Sequence, residues 1–222
     1  KAISRRLAAA GYRVIVHANR HLADAEILAA ELGGHALAAD LTDTSAIDAM
    51  FDTIDGFDGE LHVLVNNAAI FHGAEPEAVT LAEWDRQVAI NLTAPFRCCQ
   101  LAAPRLRKTG MGVIVNLLDV ASMRPEKGYS HYAATKAGLE ALTHGLAVEW
   151  APAIRVNGVA PGVALMPVTY TEQERIEHLE RTPMGEETGA EAIADSVHFL
   201  IDGPRALTGV ILPVDGGLSS AW

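Results

Sequence analysis

Tyr132 and Lys136 stand four residues apart in the stretch Tyr129-Ser-His-Tyr-Ala-Ala-Thr-Lys-Ala-Gly138. Leu139, Leu142, Leu146 and Trp150 follow at helical spacing, which predicts one long helix with phenol and ammonium on the same face. A phenol beside an ammonium is an acid–base device. The positive charge favours the phenolate and lowers the tyrosine pKa towards working pH. A bare pair at this spacing is more often an ordinary surface contact, so other residues must carry the assignment. The companions are Asp40, Asn66-Asn67-Ala68, Asp119 and Pro161-Gly162, each directly after an apolar, β-type run.

The elements that position them alternate along the chain. An amphipathic helix over residues 1–10 is followed by a strand over Tyr12–Ala18, a helix over Asp24–Leu32 and a strand over His35–Ala39. A helix over Thr44–Ile54 and a strand over Leu61–Val65 come next. The capping box Thr80-Leu-Ala-Glu83 opens a helix that runs through Asn91 to Lys108, and Gly112–Leu118 is the next strand. After the Tyr132 helix come a strand over Ile154–Ala160 and a helix from a second box, Thr171-Glu-Gln-Glu174, to Arg181. A helix over Ala190–Ile201 and a strand over Val210–Val214 close the chain. Strands apolar on both faces and alternating with helices predict an α/β, doubly wound parallel sheet of Rossmann-like type. Ligands of such sheets lie beyond the carboxyl ends of the strands, where all the candidates fall. Such a fold opens with a strand and a glycine-rich turn before its first helix. Lys1 falls inside that helix and Gly216-Gly217 have no helix behind them, so one strand and one turn are expected outside these residues.

The 222 residues are half hydrophobic, enough for one core, so a single domain over 1–222 is expected. The net charge of −11, with no basic run, argues against nucleic acid or an anionic membrane as partner. Cys98 and Cys99 are adjacent in an apolar helical stretch and read as reduced, buried thiols. No apolar run of ~18 residues and no leader-like start occur, which predicts a soluble, cytoplasmic chain. His62, His72, His131, His144, His178 and His198 share no ligand spacing with carboxylates, so no metal is expected.

Taken in order, Asn66-Asn67-Ala68-Ala69, Asn91, Tyr132-x-x-x-Lys136, Arg155-Val-Asn-Gly-Val-Ala-Pro161-Gly162 and Val214-Asp-Gly-Gly217 resemble the short-chain dehydrogenase/reductase family, from Lys1 to Trp222. The resemblance implies that Tyr132 is the general acid/base and that Lys136 tunes it and holds the nicotinamide ribose. It implies that Asn91 anchors a water relay. It further implies cofactor contacts from His17, Asn19, Arg20, His21, Asp40, Leu41, Asn67, Ala68, Ala69, Pro161 and Gly162.

The family's serine usually stands thirteen positions before the tyrosine, and here that position is Asp119. Pteridine reductases and bacterial dihydromonapterin reductases are similar to this sequence in carrying Asp there. A carboxyl group can bind and protonate a pterin ring nitrogen. Asn66-Asn-Ala-Ala-Ile-Phe71 resembles the segment whose Phe stacks on the pterin, although Ala69, Ile70 and Ala164 stand where serines are expected. His17-Ala-Asn-Arg20-His21 has no acid for a ribose 2′-hydroxyl, and Arg20 can hold a 2′-phosphate instead. The resemblance thus implies an NADPH-dependent reductase turning a dihydropterin into a tetrahydropterin, with Phe71, Asp119 and Tyr132 at the substrate. The alternatives are a carbonyl reductase, such as a 3-oxoacyl-thioester reductase, and a dinucleotide-binding regulator without turnover. Family analogy implies a homotetramer through the helices Leu81–Lys108 and Tyr132–Glu149.

Overall fold

A computed structural model describes residues 1–164 and 171–221. The side chains of Glu174 and His178, and with them the expected Thr171 capping box, lie outside the described residues. The helices are α1 (Ala2–Ala9), α2 (Leu22–Leu32), α3 (Thr44–Ile54), α4 (Leu81–Val88), α5 (Ala94–Lys108), α6 (Ser130–Trp150), α7 (Glu172–Glu180) and α8 (Ala190–Asp202). The strands are β1 (Ile15–Ala18), β2 (His35–Ala38), β3 (Val63–Asn66), β4 (Gly112–Leu117), β5 (Ile154–Pro161) and β6 (Ile211–Val214).

All strand pairs are parallel, and helices cover both faces. Alternation along the central strands sorts the core. Ile114, Ile154 and Val156 meet Ile47, Phe51, Cys99, Leu106 and Leu146 from α3, α5 and α6. Val113, Val115, Leu117 and Val159 meet Leu7 of α1 and Ile193, Val197 and Leu200 of α8. Cys98 and Cys99 are free and buried in the first layer, and burial pushes both thiols up to about 12. Among the described residues no helix is long and apolar enough to cross a membrane.

The start of β1 departs from the sequence expectation: it begins at Ile15 rather than Tyr12, because its partner among the described residues begins opposite it at His35. Among the described residues the strands form two sheets, β1-β2 and β3-β4-β5-β6, with no hydrogen bond between them. A cavity of about 1540 Å³ separates them, lined by His17 and Ala18 on one side and Val65, Asn66, Asn67 and Ala68 on the other. Two parallel strand edges, of β1 and β3, thus line one slot.

The expected helix from Thr80 to Lys108 is interrupted. Its capping box forms as predicted, the Thr80 side chain accepting from the Glu83 N–H and Glu83 reaching back. Residues Ala89–Thr93 then widen into a π-turn before α5 begins. Asn91 sits in that turn, 1% exposed. A π-turn rotates its residue out of the regular register, and here it swings Asn91 onto the loop after β3.

Candidate active site

Asp119 follows β4 in extended conformation and opens a single helical turn over Val120–Ser122. Its two oxygens have separate partners. Oδ1 accepts the Ala121 N–H at 2.8 Å, a local cap, while Oδ2 accepts the Tyr132 hydroxyl at 2.9 Å. The carboxylate is therefore both an ordinary strand-end cap and a partner of the phenol. Tyr132 stands in the first turn of α6, and Lys136 lies one turn on, its Nζ 5.7 Å from the Tyr132 ring centre. Nζ donates to the Leu117 carbonyl at 2.8 Å, and Lys136 is only 3% exposed. One acceptor leaves two ammonium N–H directions uncommitted among the described residues.

The electrostatics correct one expectation. Lys136 does not lower the Tyr132 pKa here. Burial pushes the phenol up and the Asp119 carboxylate adds to it, so the hydroxyl is held protonated. Burial also raises the Asp119 carboxyl, against the bonds from Ala121 and Tyr132 and the charge of Lys136. Desolvation lowers Lys136 to about 8, with Asp119 opposing. Three titratable groups thus stand together in a largely buried corner of the site, with the Tyr132 hydroxyl held neutral.

Asn91 is committed elsewhere. Its Oδ1 accepts the Ile70 N–H at 2.9 Å, and its Nδ2 donates to the Ile70 carbonyl at 2.9 Å and the Thr135 hydroxyl at 3.3 Å. Both amide hydrogens are used, so this side chain fixes the loop after β3 to α6. Thr135, which sequence reasoning passed over, passes the contact on to the Tyr132 carbonyl at 2.7 Å.

Phe71 lies in the loop that Asn91 pins. It is 57% exposed and so is no core aromatic. Its ring stacks on Tyr129 (4.5 Å between centres, 6° between planes) and meets Tyr132 edge-on at 4.8 Å. Tyr129 was also missed. Its place three residues before Tyr132, ahead of the helix, was the only signal available. Ala164, where a serine was expected, packs against the apolar layer of α1 and α8.

The residues assigned to a dinucleotide divide between the two sheets. After β1, Asn19, Arg20 and His21 are exposed, and among the described residues Arg20 forms no ion pair. Asp40, at the end of β2, is held low by bonds from Thr42, with Arg20 nearby contributing. Its Oδ1 serves Thr42, as a turn cap would. His17 is instead tied to the Ala39 carbonyl through Nε2 at 2.9 Å. Leu41 leans on the core and lines the slot. Across the slot Asn67, Ala68 and Ala69 are exposed after β3, and Gly162, beyond Pro161, bonds to Val214 at 3.0 Å. A buried ammonium with free donors and an unpaired arginine fit a ribose and a phosphate respectively, so these residues suit a nicotinamide dinucleotide.

Comparison with known proteins gives a consistent result. The family described as Enoyl-(Acyl carrier protein) reductase matches residues 1–219. A 4-formylbenzenesulfonate dehydrogenase of Comamonas testosteroni is 37% identical over 191 residues, 82% of this chain and 76% of that one. A 3-oxoacyl-[acyl-carrier-protein] reductase of Staphylococcus aureus is 33% identical over 227 residues, covering 98% and 92%. Among solved structures, a Sinorhizobium meliloti 1021 protein described as a short-chain alcohol dehydrogenase superposes with a TM-score of 0.91 at 32% identity, over 100% of this chain and 92% of that one. The reading as a regulator without turnover is therefore set aside. With its sheet, its Tyr132–Lys136 pair and these relatives, the chain belongs to the short-chain dehydrogenase/reductase family of nicotinamide-dependent oxidoreductases.

Proposed function

We propose that the chain is an NADPH-dependent pteridine reductase that converts a dihydropterin to a tetrahydropterin. The observation that carries this reading is the Asp119 carboxylate accepting the Tyr132 hydroxyl at 2.9 Å, beside the exposed ring of Phe71. A carbonyl becoming an alkoxide needs donors around it, and a carboxylate there opposes the growing negative charge. A ring C=N gaining hydride at carbon needs a proton at nitrogen and an acceptor for neighbouring N–H groups. Asp119 and Tyr132 together offer both.

NADPH, when bound, supplies the hydride. Lys136 would hold the ribose with its free N–H directions, and Arg20 the 2′-phosphate. Asn67, Ala68, Ala69, Pro161 and Gly162 would bound the nicotinamide side, with Asn19, His21, Asp40 and Leu41 towards the adenosine. Tyr132, held neutral by burial, keeps the proton that the ring nitrogen receives, and Asp119 orients the heterocycle through its N–H groups. As the carbon–nitrogen double bond becomes single, the proton lost by Tyr132 would be replaced from solvent by way of the Lys136 ammonium. Asn91 keeps Ile70, and so Phe71, in place against α6. The homotetramer remains part of this reading, supported by Phe96 and Val148, which lie exposed on α5 and α6.

A second reading, a carbonyl reductase, is favoured by the 33% identical 3-oxoacyl reductase. One experiment separates the two. NADPH and NADH oxidation is followed with dihydrobiopterin and with an acetoacetyl thioester, for the parent and for Asp119→Ser. Pterin kcat should fall by roughly 100- to 10,000-fold in the variant, the range for a positioned acid–base group, while thioester turnover holds or improves. A variant that reduces dihydropterin as fast as the parent leaves the carbonyl reductase in its place.

A further inference from the structure

Phe71 presents a problem of support. It sits in a loop, more than half exposed, and yet its ring is parallel to one aromatic neighbour and perpendicular to another. An exposed side chain keeps a fixed plane only if something holds it. The holder is Tyr129, and three further features serve the contact between them.

The first is Gly73. Its backbone does not have the positive φ that calls for glycine, so the reason for glycine is space. A Cβ at residue 73 would lie 2.6 Å from Cζ of Tyr129, 2.7 Å from its Cε1 and 3.0 Å from its hydroxyl oxygen. Tyr129 is thus clamped between the Gly73 main chain and the face of Phe71. The second feature is a bond from the Ala74 N–H to the Gly128 carbonyl at 2.8 Å, which stitches the two loops together beside the stack. Gly128 reaches it with a φ of 82°, in the left-handed region that glycine adopts without penalty. The third is the bond from the Tyr129 N–H to Glu126, which fixes the residue ahead of α6. None of these contacts buries Phe71.

A ring held in a set plane and left open, 4.8 Å from the ring of Tyr132, is a platform. A flat conjugated ring can lay its face on it, whereas a flexible acyclic chain gains little from a fixed plane. We propose that Tyr129 is a positioning residue that sets the substrate class: by clamping Phe71 it makes the site select flat heterocycles over acyclic carbonyl compounds. The proposal rests on the pterin reading, and it adds Tyr129 and Gly73 to the determinants of that specificity. Neither touches the reacting atoms.

The test compares steady-state constants for dihydrobiopterin in the parent, Tyr129→Phe, Tyr129→Leu, Gly73→Ala and the double variant Gly73→Ala/Tyr129→Leu. Tyr129→Leu should raise the pterin KM by roughly two- to twelvefold, the range of one aromatic pair, with kcat and the NADPH KM at parental values. Tyr129→Phe keeps the ring and should keep the parental KM. Gly73→Ala pushes the ring off and should match Tyr129→Leu. The double variant should be no worse than the worse single, because both changes break the same clamp. An unchanged KM in Tyr129→Leu overturns the proposal, as does a defect in Tyr129→Phe equal to that of leucine. Loss of kcat and NADPH binding together in Tyr129→Leu would show general damage to the loops and also overturn it. A parent without pterin turnover removes the functional reading and this inference with it. A parent with turnover but no KM change in Tyr129→Leu removes the inference alone.

Discussion

Asp119 carries two contacts, one on each oxygen, and a raised pKa whose first cause is burial. That has a consequence for stability. Below about pH 4 the carboxyl is protonated in folded and unfolded chains alike, and its burial costs no charge. As pH rises through the raised folded value, the native state must bury a charge that the unfolded chain keeps in water, and stability is lost. Asp119→Asn has nearly the same shape, with an oxygen for Ala121 and an amide for Tyr132, and it never acquires the charge. The variant should melt above the parent at neutral pH, with the gap closing as pH falls towards 4. Melting curves across that range decide the matter, and a gap independent of pH defeats the account. Sequence spacing made the Tyr132–Lys136 pair legible, because a helix fixes four-residue neighbours whatever the fold around it, whereas Asp119 was singled out by the family resemblance, which puts a serine at its position. The direction of the Tyr132 shift was not legible. It depends on how deeply α6 is buried and on Asp119 arriving from another element, and together these outweigh Lys136.

Elements were legible where their signals are local and obscure where a tertiary contact decides. The Thr80 capping box and the αL glycine at Gly33 put the start of α4 and the end of α2 where the residues said. α3 matches its expected span from Thr44 to Ile54, with Asp43 accepting the Ser45 N–H as its cap. The π-turn at Ala89–Thr93 left no such mark, since its residues are ordinary helix formers and its cause is Asn91 bonding to Ile70 across 21 residues of chain. That cause can be tested. Asn91→Ala leaves the Ile70 N–H and carbonyl without their partner in a site closed to water. Each stranded group costs about 1–3 kcal/mol, so a fall in unfolding free energy of a few kcal/mol is expected by urea titration. On the proposed pterin reading the KM for dihydropterin should rise as well, because the Phe71 loop loses its anchor to α6. A variant with parental stability would mean that water replaces the amide without loss and that the π-turn has another origin.

At the scale of the whole molecule the parallel, two-faced architecture was legible, because strands apolar on both faces leave few other arrangements. The division of the described strands into two sheets is a matter of which edges meet in space. The division also makes stability uneven. Every residue of β4 is buried and β4 is paired on both sides, whereas β1 and β2 are only partly buried and each is paired on one side among the described residues. The smaller sheet is fastened to the rest largely through helices: α1 meets α8 through Arg6–Asp195 at 2.6 Å, and α3 meets α5 through Arg97–Asp48 at 2.7 Å and Arg105–Asp55 at 2.6 Å. These are surface or half-exposed ion pairs, each worth about 0–1 kcal/mol, so the coupling is carried by the apolar contacts of Leu7, Ile47 and Phe51 with the core layers, while among the described residues no strand-to-strand bond joins β1 to β3. Native-state hydrogen exchange should therefore resolve two classes of amide. Those of β4 and β5 should exchange only through global unfolding, and those of β1 and β2 through a cheaper opening of the slot between the sheets. Moderate urea should bring the two classes together as the global route takes over. Amides of β1 that exchange as slowly as those of β4 without urea would show that the slot does not divide the molecule energetically, and the two sheets would have to be treated as one.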